Sequence, residues 1–184
     1  MQTSAALDPR AARSREKLRG ALLALVRDQR LDLITIADIT AKAGVGHATF
    51  FRHYRDKHEL WWDIADGLVE ALLGRLTALA DRRDPRKIAD ELCAHVAANR
   101  ETLSAVLAQG AEGVVREDLI RRAVARASRI TRPDFGGLPR DLALLHATNA
   151  AFGILVWWLE RYDKVPREAM VGIIERLVVR PLTI

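Results

Sequence analysis

Two short stretches with helical apolar spacing, Thr35 to Ala43 and Gly46 to Tyr54, are separated only by Gly44-Val45-Gly46. In the first, Ile36, Ile39 and Ala43 fall on one side; in the second, Val45, Phe50 and Tyr54 do. Glycine at two of the three linking positions breaks the helix and leaves room only for a tight turn. A short helix, a three-residue turn and a second short helix form the helix-turn-helix pattern. No stretch shows the alternation of a strand, and no repeat of fixed period occurs. Only 5% of the 184 residues are aromatic, while Ala, Leu and Arg abound. Such side chains lose little rotamer freedom in a helix. The expected class is all-α.

The remaining apolar stripes predict further helices. The first runs from about Ala12 to Asp28, with Leu18, Leu22, Leu25 and Val26 inward and a loose arm before it up to about Ala11. Thr35 caps the second helix, with Asp38 at the capping-box position. Asp56 caps a fourth, long helix that reaches about Ala80. Helices follow from Asp84-Pro85 to Ala98, Arg100 to Gln109, Val114 to Ile130 and Arg140 to Tyr162. Gly110 and Gly113 end the second of these, and Thr131 to Pro139 reads as a loop. Pro166 opens the last helix and Pro181 stops it. Leu142 to Leu159 carries no charge, which approaches the length of a membrane span. His146, Thr148 and Asn149 inside it, and charges closing both ends, instead predict a buried helix and no membrane partner.

Charge is uneven. Residues 1–58 hold eleven Lys/Arg against six Asp/Glu, so the whole net charge of +5 lies there. A basic end on a neutral body suits a polyanion partner, or a merely solvated surface. Arg13, Arg15, Lys17 and Arg19 open the first helix, where cations oppose the macrodipole, so helix stability does not explain them. The outward residues of the third helix are His47, Ala48, Thr49, Phe51, Arg52 and His53, none acidic. Thr and Ala can meet thymine methyls, and His or Arg can reach base or phosphate acceptors in a major groove.

Thr35-Ile36-Ala37-Asp38-Ile39, Ala43-Gly44-Val45-Gly46, Thr49-Phe50-Phe51-Arg52-His53-Tyr54 and Lys57-His58-Glu59-Leu60 together resemble the tetracycline-repressor (TetR) family of bacterial transcriptional regulators. The resemblance covers about Arg13 to Ile64; the rest agrees only in plan. It implies a helix-turn-helix DNA-binding domain over residues 1–58 and a helical ligand-binding and dimerisation domain over 59–184. It also implies that Thr35 and Lys57 hold phosphates, that His47, Ala48 and Thr49 face bases, and that His53 lies near backbone or base. Three positions depart from the family pattern. Gly46 stands where a capping Ser is common, Phe51 where Tyr is common, and Thr40 where a small apolar residue is usual.

The expected function is a homodimeric repressor that binds an inverted-repeat operator in double-stranded DNA and is released by a small-molecule effector. Trp61, Cys93, His95, Val124, His146 and Asn149 are candidates for the effector cavity, between the fourth helix and those bearing Cys93, Val124 and Asn149. An apolar lining with a few polar handles suits such a site, and each polar group also reads as a satisfied core or interface residue. Trp157, Met170, Ile173, Ile174 and Leu177 are the expected dimer face, from the last two helices of each subunit. No cofactor or metal is expected: the single cysteine offers no zinc pair, and His47, His53 and His58 do not converge on a helix. No nucleophile elbow, paired-acid motif or phosphate loop points to an enzyme. The alternative is a helical enzyme or carrier whose basic end serves another acidic partner. The polar N-terminus and lone cysteine suit a cytoplasmic protein.

Overall fold

The computed structural model describes residues 9–79, 84–109, 113–130, 135 and 137–182, and among them there is no strand. The helices are α1 (Pro9–Leu25), α2 (Ile36–Ala43), α3 (His47–His53), α4 (Lys57–Leu79), α5 (Pro85–Ala98), α6 (Arg100–Gln109), α7 (Gly113–Ile130), α8 (Arg140–Glu160) and α9 (Arg167–Ile174). A 3-10 turn (Leu31–Leu33) precedes α2. A π turn (Glu175–Val179) and a 3-10 turn (Arg180–Leu182) prolong α9 through Pro181, the predicted stop. The predicted N-terminal arm lies outside the described residues as far as residue 8, and Pro9 to Ala11 are helical. The Ala80 end of α4, Gly110 and most of the Thr131 to Pro139 loop also lie outside them. Gly113, expected to end a helix, starts α7.

The chain divides into two units, Met1–Ile64 and Ala65–Ile184. In the first, α1 packs on α2, and both meet α3. Leu18, Leu22, Ile34, Ile39, Phe50 and Leu60 are wholly buried, each contributing about 1.5–3 kcal/mol by its removal from water. Leu25, expected inward, is only half-buried. The unit extends two turns into α4, where Tyr54 Oη donates to Asp63 Oδ2 at 2.7 Å and Arg19 lies 3.8 Å from the same carboxylate. Burial and the Asp63 bond both push the Tyr54 phenol upward, so it stays a donor.

In the second unit, α5 packs on α9 and the π turn, and α7 on α8. Asp84 caps α5, accepting from Arg86 N and Lys87 N, with Pro85 at the first helical position, where its missing N–H costs nothing. One core gathers Cys93, Val96, Trp158, Met170, Val171 and Ile174; a second gathers Leu73, Ala127 and Leu144, with Val69, Val124 and Phe135 against it. Trp158 Nε1 donates to Val165 O at 3.0 Å, which satisfies the indole inside the first core. The buried Glu175 carboxylate is held by Arg86 and Arg180.

Three expectations change here. The helix predicted to be buried, α8, has only 17% of its apolar window covered, at a mean hydropathy of 1.6. Its apolar residues run all round the helix, whereas its neighbours in one chain cover only part of it. Leu142, Leu145 and Trp157 stay exposed. By length and composition alone it could cross a membrane.

Met170 and Ile174, placed on the dimer face, are 0% exposed in the chain's own core. The stripe that predicted an interface is the face α9 turns toward α5. Leu177 (58% exposed) and Trp157 (42%) remain outward, and Ile173 is half-buried.

The candidate cavity residues fall in different surroundings. Trp61 is buried in the first unit, Cys93 and Val124 belong to different cores, and His146 and Asn149 are exposed. Asn149 Nδ2 turns back to its own helix, donating to Leu145 O at 2.9 Å.

Candidate nucleic-acid interface

The turn between α2 and α3 is built by Gly44, at φ 63° in the left-handed region that favours glycine. Its N–H donates to Ala41 O and the Val45 N–H to Thr40 O, closing the end of α2. At the other end of α2, Thr35 Oγ1 accepts from Asp38 N at 3.1 Å, while the Asp38 carboxylate accepts from Thr35 N at 2.9 Å and from Thr35 Oγ1 at 2.6 Å. This reciprocal box holds the Asp38 carboxyl below the usual carboxylate range, the Thr35 hydroxyl contributing most. The helix is therefore fixed at both ends by local chemistry.

α3 starts without a side-chain cap, as Gly46 must leave it. Phe50 points into the core, and its ring meets Phe51 edge-on at 5.5 Å. His47, Ala48, Phe51 and Arg52 are exposed, Phe51 by 55%. Thr49 and His53 are half-buried, so they offer less than the outward positions the sequence assigned them. Burial, then the Arg15 and Arg52 guanidiniums, lower the His53 pKa, so this ring is neutral near pH 7. It can hydrogen-bond a phosphate or base but brings no charge.

Lys57 sits differently from its expected place against a phosphate. Its Nζ donates to Asp32 O and Ile34 O, each at 2.7 Å. An ammonium has three donors, so at most one is left for a phosphate. Asp56 caps the same helix, accepting from His58 N and Glu59 N at 2.8 and 2.9 Å. The exposed cations of this unit include Arg13, Arg15 and Lys17 on α1 and Arg52 on α3. Three acids of this unit are occupied: Asp32 by Arg30, Asp38 by Thr35, Asp63 by Tyr54.

Thr40 belongs to the site although the sequence offered it only as an oddity. It is 3% exposed, its Oγ1 donates to Ala37 O at 3.1 Å, and the same oxygen lies 3.4 Å from His47 Nδ1. The signal was a hydroxyl on the inner side of α2, seven residues before an outward histidine. Among the described residues, no three His, Cys, Asp or Glu side chains group as a metal site.

No protein-family profile matches the chain. Over 72 residues it is 46% identical to an uncharacterized HTH-type transcriptional regulator, YxbF, of Bacillus subtilis (strain 168), a match covering 39% of this chain and 19% of that protein. The fold is similar to a TetR transcriptional regulator from Streptococcus agalactiae 2603V, with TM-score 0.64 and 18% identity over 93% of this chain and 96% of that one. It is also similar to the fatty acid degradation regulator FadR from Bacillus halodurans, at TM-score 0.69 and 12% identity over 92% and 96%. A putative fatty acid metabolism regulator of Clostridium perfringens superposes at 0.61, with 16% identity over 91% and 99%. The chain thus has the TetR-type fold, a helix-turn-helix unit followed by a helical one.

Proposed function

We propose that this protein is a homodimeric transcriptional repressor that reads an inverted-repeat operator with its first unit and binds a small-molecule effector with its second. The observation that carries the reading is α3. It follows a glycine-closed turn and presents His47, Ala48, Phe51 and Arg52 to solvent with no acid among them, within the first 58 residues, which carry the whole net charge. Phosphate contacts come from Arg13, Arg15, Lys17 and Arg52, with Thr35 and the remaining Lys57 donor adding to them. Base contacts come from His47, Ala48 and Phe51, with Thr49 and His53 at the margin. The curated relative, itself an HTH-type regulator, supports the same reading.

The dimer uses the uncovered side of α8 and the outward part of the last turns. Leu142, Leu145, Trp157 and Leu177 would be costly to leave in water. The two protomers of a C2 dimer place two α3 helices on two half-sites, which is why the operator is palindromic.

In the second unit, His95 is 3% exposed and its Nε2 makes no close hydrogen bond. With Asn99 beside it, at 3.5 Å from Nδ1, it is the polar handle best suited to a mostly apolar effector. A coupling of about 1–3 kcal/mol would weaken operator binding roughly 5–150-fold.

A gel shift with the DNA upstream of the protein's own gene tests the reading. A salt-sensitive complex, competed by specific but not by random duplex, is expected. Equal binding to every duplex, or to none, would overturn it. A promoter reporter whose output rises when the gene is deleted distinguishes repression from activation.

A further inference from the structure

We infer that Thr40 fixes the tautomer of His47, so that α3 presents a hydrogen-bond acceptor to the DNA at this position and selects the exocyclic amino group of adenine or cytosine. The inference rests on the DNA-reading function proposed above and specifies what the first residue of α3 reads.

A threonine hydroxyl has one hydrogen and two lone pairs. In Thr40 the hydrogen has two claimants, Ala37 O at 3.1 Å and His47 Nδ1 at 3.4 Å. The carbonyl is nearer, lies three residues back on the same helix and is the usual partner of a helical threonine. With the hydrogen committed there, the oxygen faces the ring with a lone pair, so Nδ1 must carry the ring proton. A neutral imidazole has one N–H only, and Nε2 is then an acceptor. Thr40 is 3% exposed, so water does not replace it in this role. His47 itself is exposed, on the face of α3 that bears no acid.

The consequence is a change in what the histidine can read. The other tautomer would donate from Nε2 to guanine O6 or N7, to adenine N7 or to thymine O4. The tautomer set by Thr40 accepts instead, and in the major groove only adenine N6 and cytosine N4 donate. A buried side chain that never touches DNA thereby decides a base preference.

The test is selection from a pool of random duplexes at about pH 8.5, two units above the ordinary imidazole value of about 6.5. Wild type, His47→Ala, Thr40→Val and Thr40→Ser are compared, with thermal unfolding of each. His47→Ala identifies the position that His47 reads. Wild type is expected to enrich A or C there; Thr40→Val, of like shape but without the oxygen, loses that bias while the rest of the motif persists. Thr40→Ser restores it. Replacing the preferred base by an analogue lacking only its amino group should weaken wild type about 2–12-fold, the worth of one hydrogen bond, and His47→Ala not at all. If wild type enriches no motif, the DNA-reading function fails and the inference with it. If it enriches a motif but Thr40→Val enriches the same one, or if the His47 position prefers G or T, the inference alone is overturned.

Discussion

The Lys57 ammonium, at the first residue of α4, donates at 2.7 Å to the carbonyl of Ile34, the residue before the cap of α2. A second bond at 2.7 Å reaches Asp32 O. The loop entering α2 has few backbone partners of its own, so this side chain closes it from a distance of 23 residues. The lysine expected to hold a phosphate thus organises the reading head first.

Lys57→Met, which keeps the stem and removes the charge, should therefore destabilise the protein before DNA is added. Hydrogen bonds to a charged group are worth about 1.5–3 kcal/mol, and partial exposure of Lys57 places the loss near the lower bound. Calorimetry or denaturant unfolding without DNA measures it. A variant as stable as wild type would return Lys57 to a purely DNA-facing role.

Thr35→Ala removes the two capping-box bonds made by Thr35 Oγ1 and leaves only the bond from Thr35 N to Asp38. The expected cost is about 0.5–2 kcal/mol, or a few degrees in Tm for a unit of this size. Thr35→Ser should recover most of it, whereas a pure phosphate-binding role would leave the Tm of Thr35→Ala unchanged.

The interface prediction now separates two residues of one stripe. Ile174→Ala removes a wholly buried side chain and should cost about 2–5 kcal/mol. Leu177→Asp changes a residue 58% exposed, and should leave secondary structure intact while shifting light-scattering mass from dimer to monomer. Dimeric Leu177→Asp and Trp157→Asp variants would move the interface elsewhere.

His95 gives an acid-sensitive fold. Burial chiefly, then the Arg75 guanidinium, lower its pKa, while Glu91 and the Leu68 carbonyl oppose them. The unfolded chain therefore binds the proton more readily, and the stability present above pH 6.5 is lost as pH falls through that value toward the lowered one. His53 shifts in the same direction. Unfolding followed from about pH 8 to 5 should show this loss, and His95→Leu should flatten it. A His95→Leu curve parallel to wild type would show that the folded ring takes up its proton as readily as the unfolded one.

Much of this protein is local and was legible along the chain. Thr35 with Asp38, Gly44 at its left-handed turn, Asp56, and Asp84 before Pro85 each act within four residues, so spacing alone specifies which backbone groups they satisfy. The helix-turn-helix and the order of helices follow from them. Partnership between distant residues does not. Met170 and Leu177 lie on the same apolar stripe, yet packing against α5 buries one and leaves the other in water. Apolar spacing states that a side chain needs cover without stating whether the same chain or a second copy supplies it. Lys57 shows the same limit for polar groups. An ammonium satisfies whichever acceptors the tertiary structure brings within 3 Å or so, and here those were the Asp32 and Ile34 carbonyls.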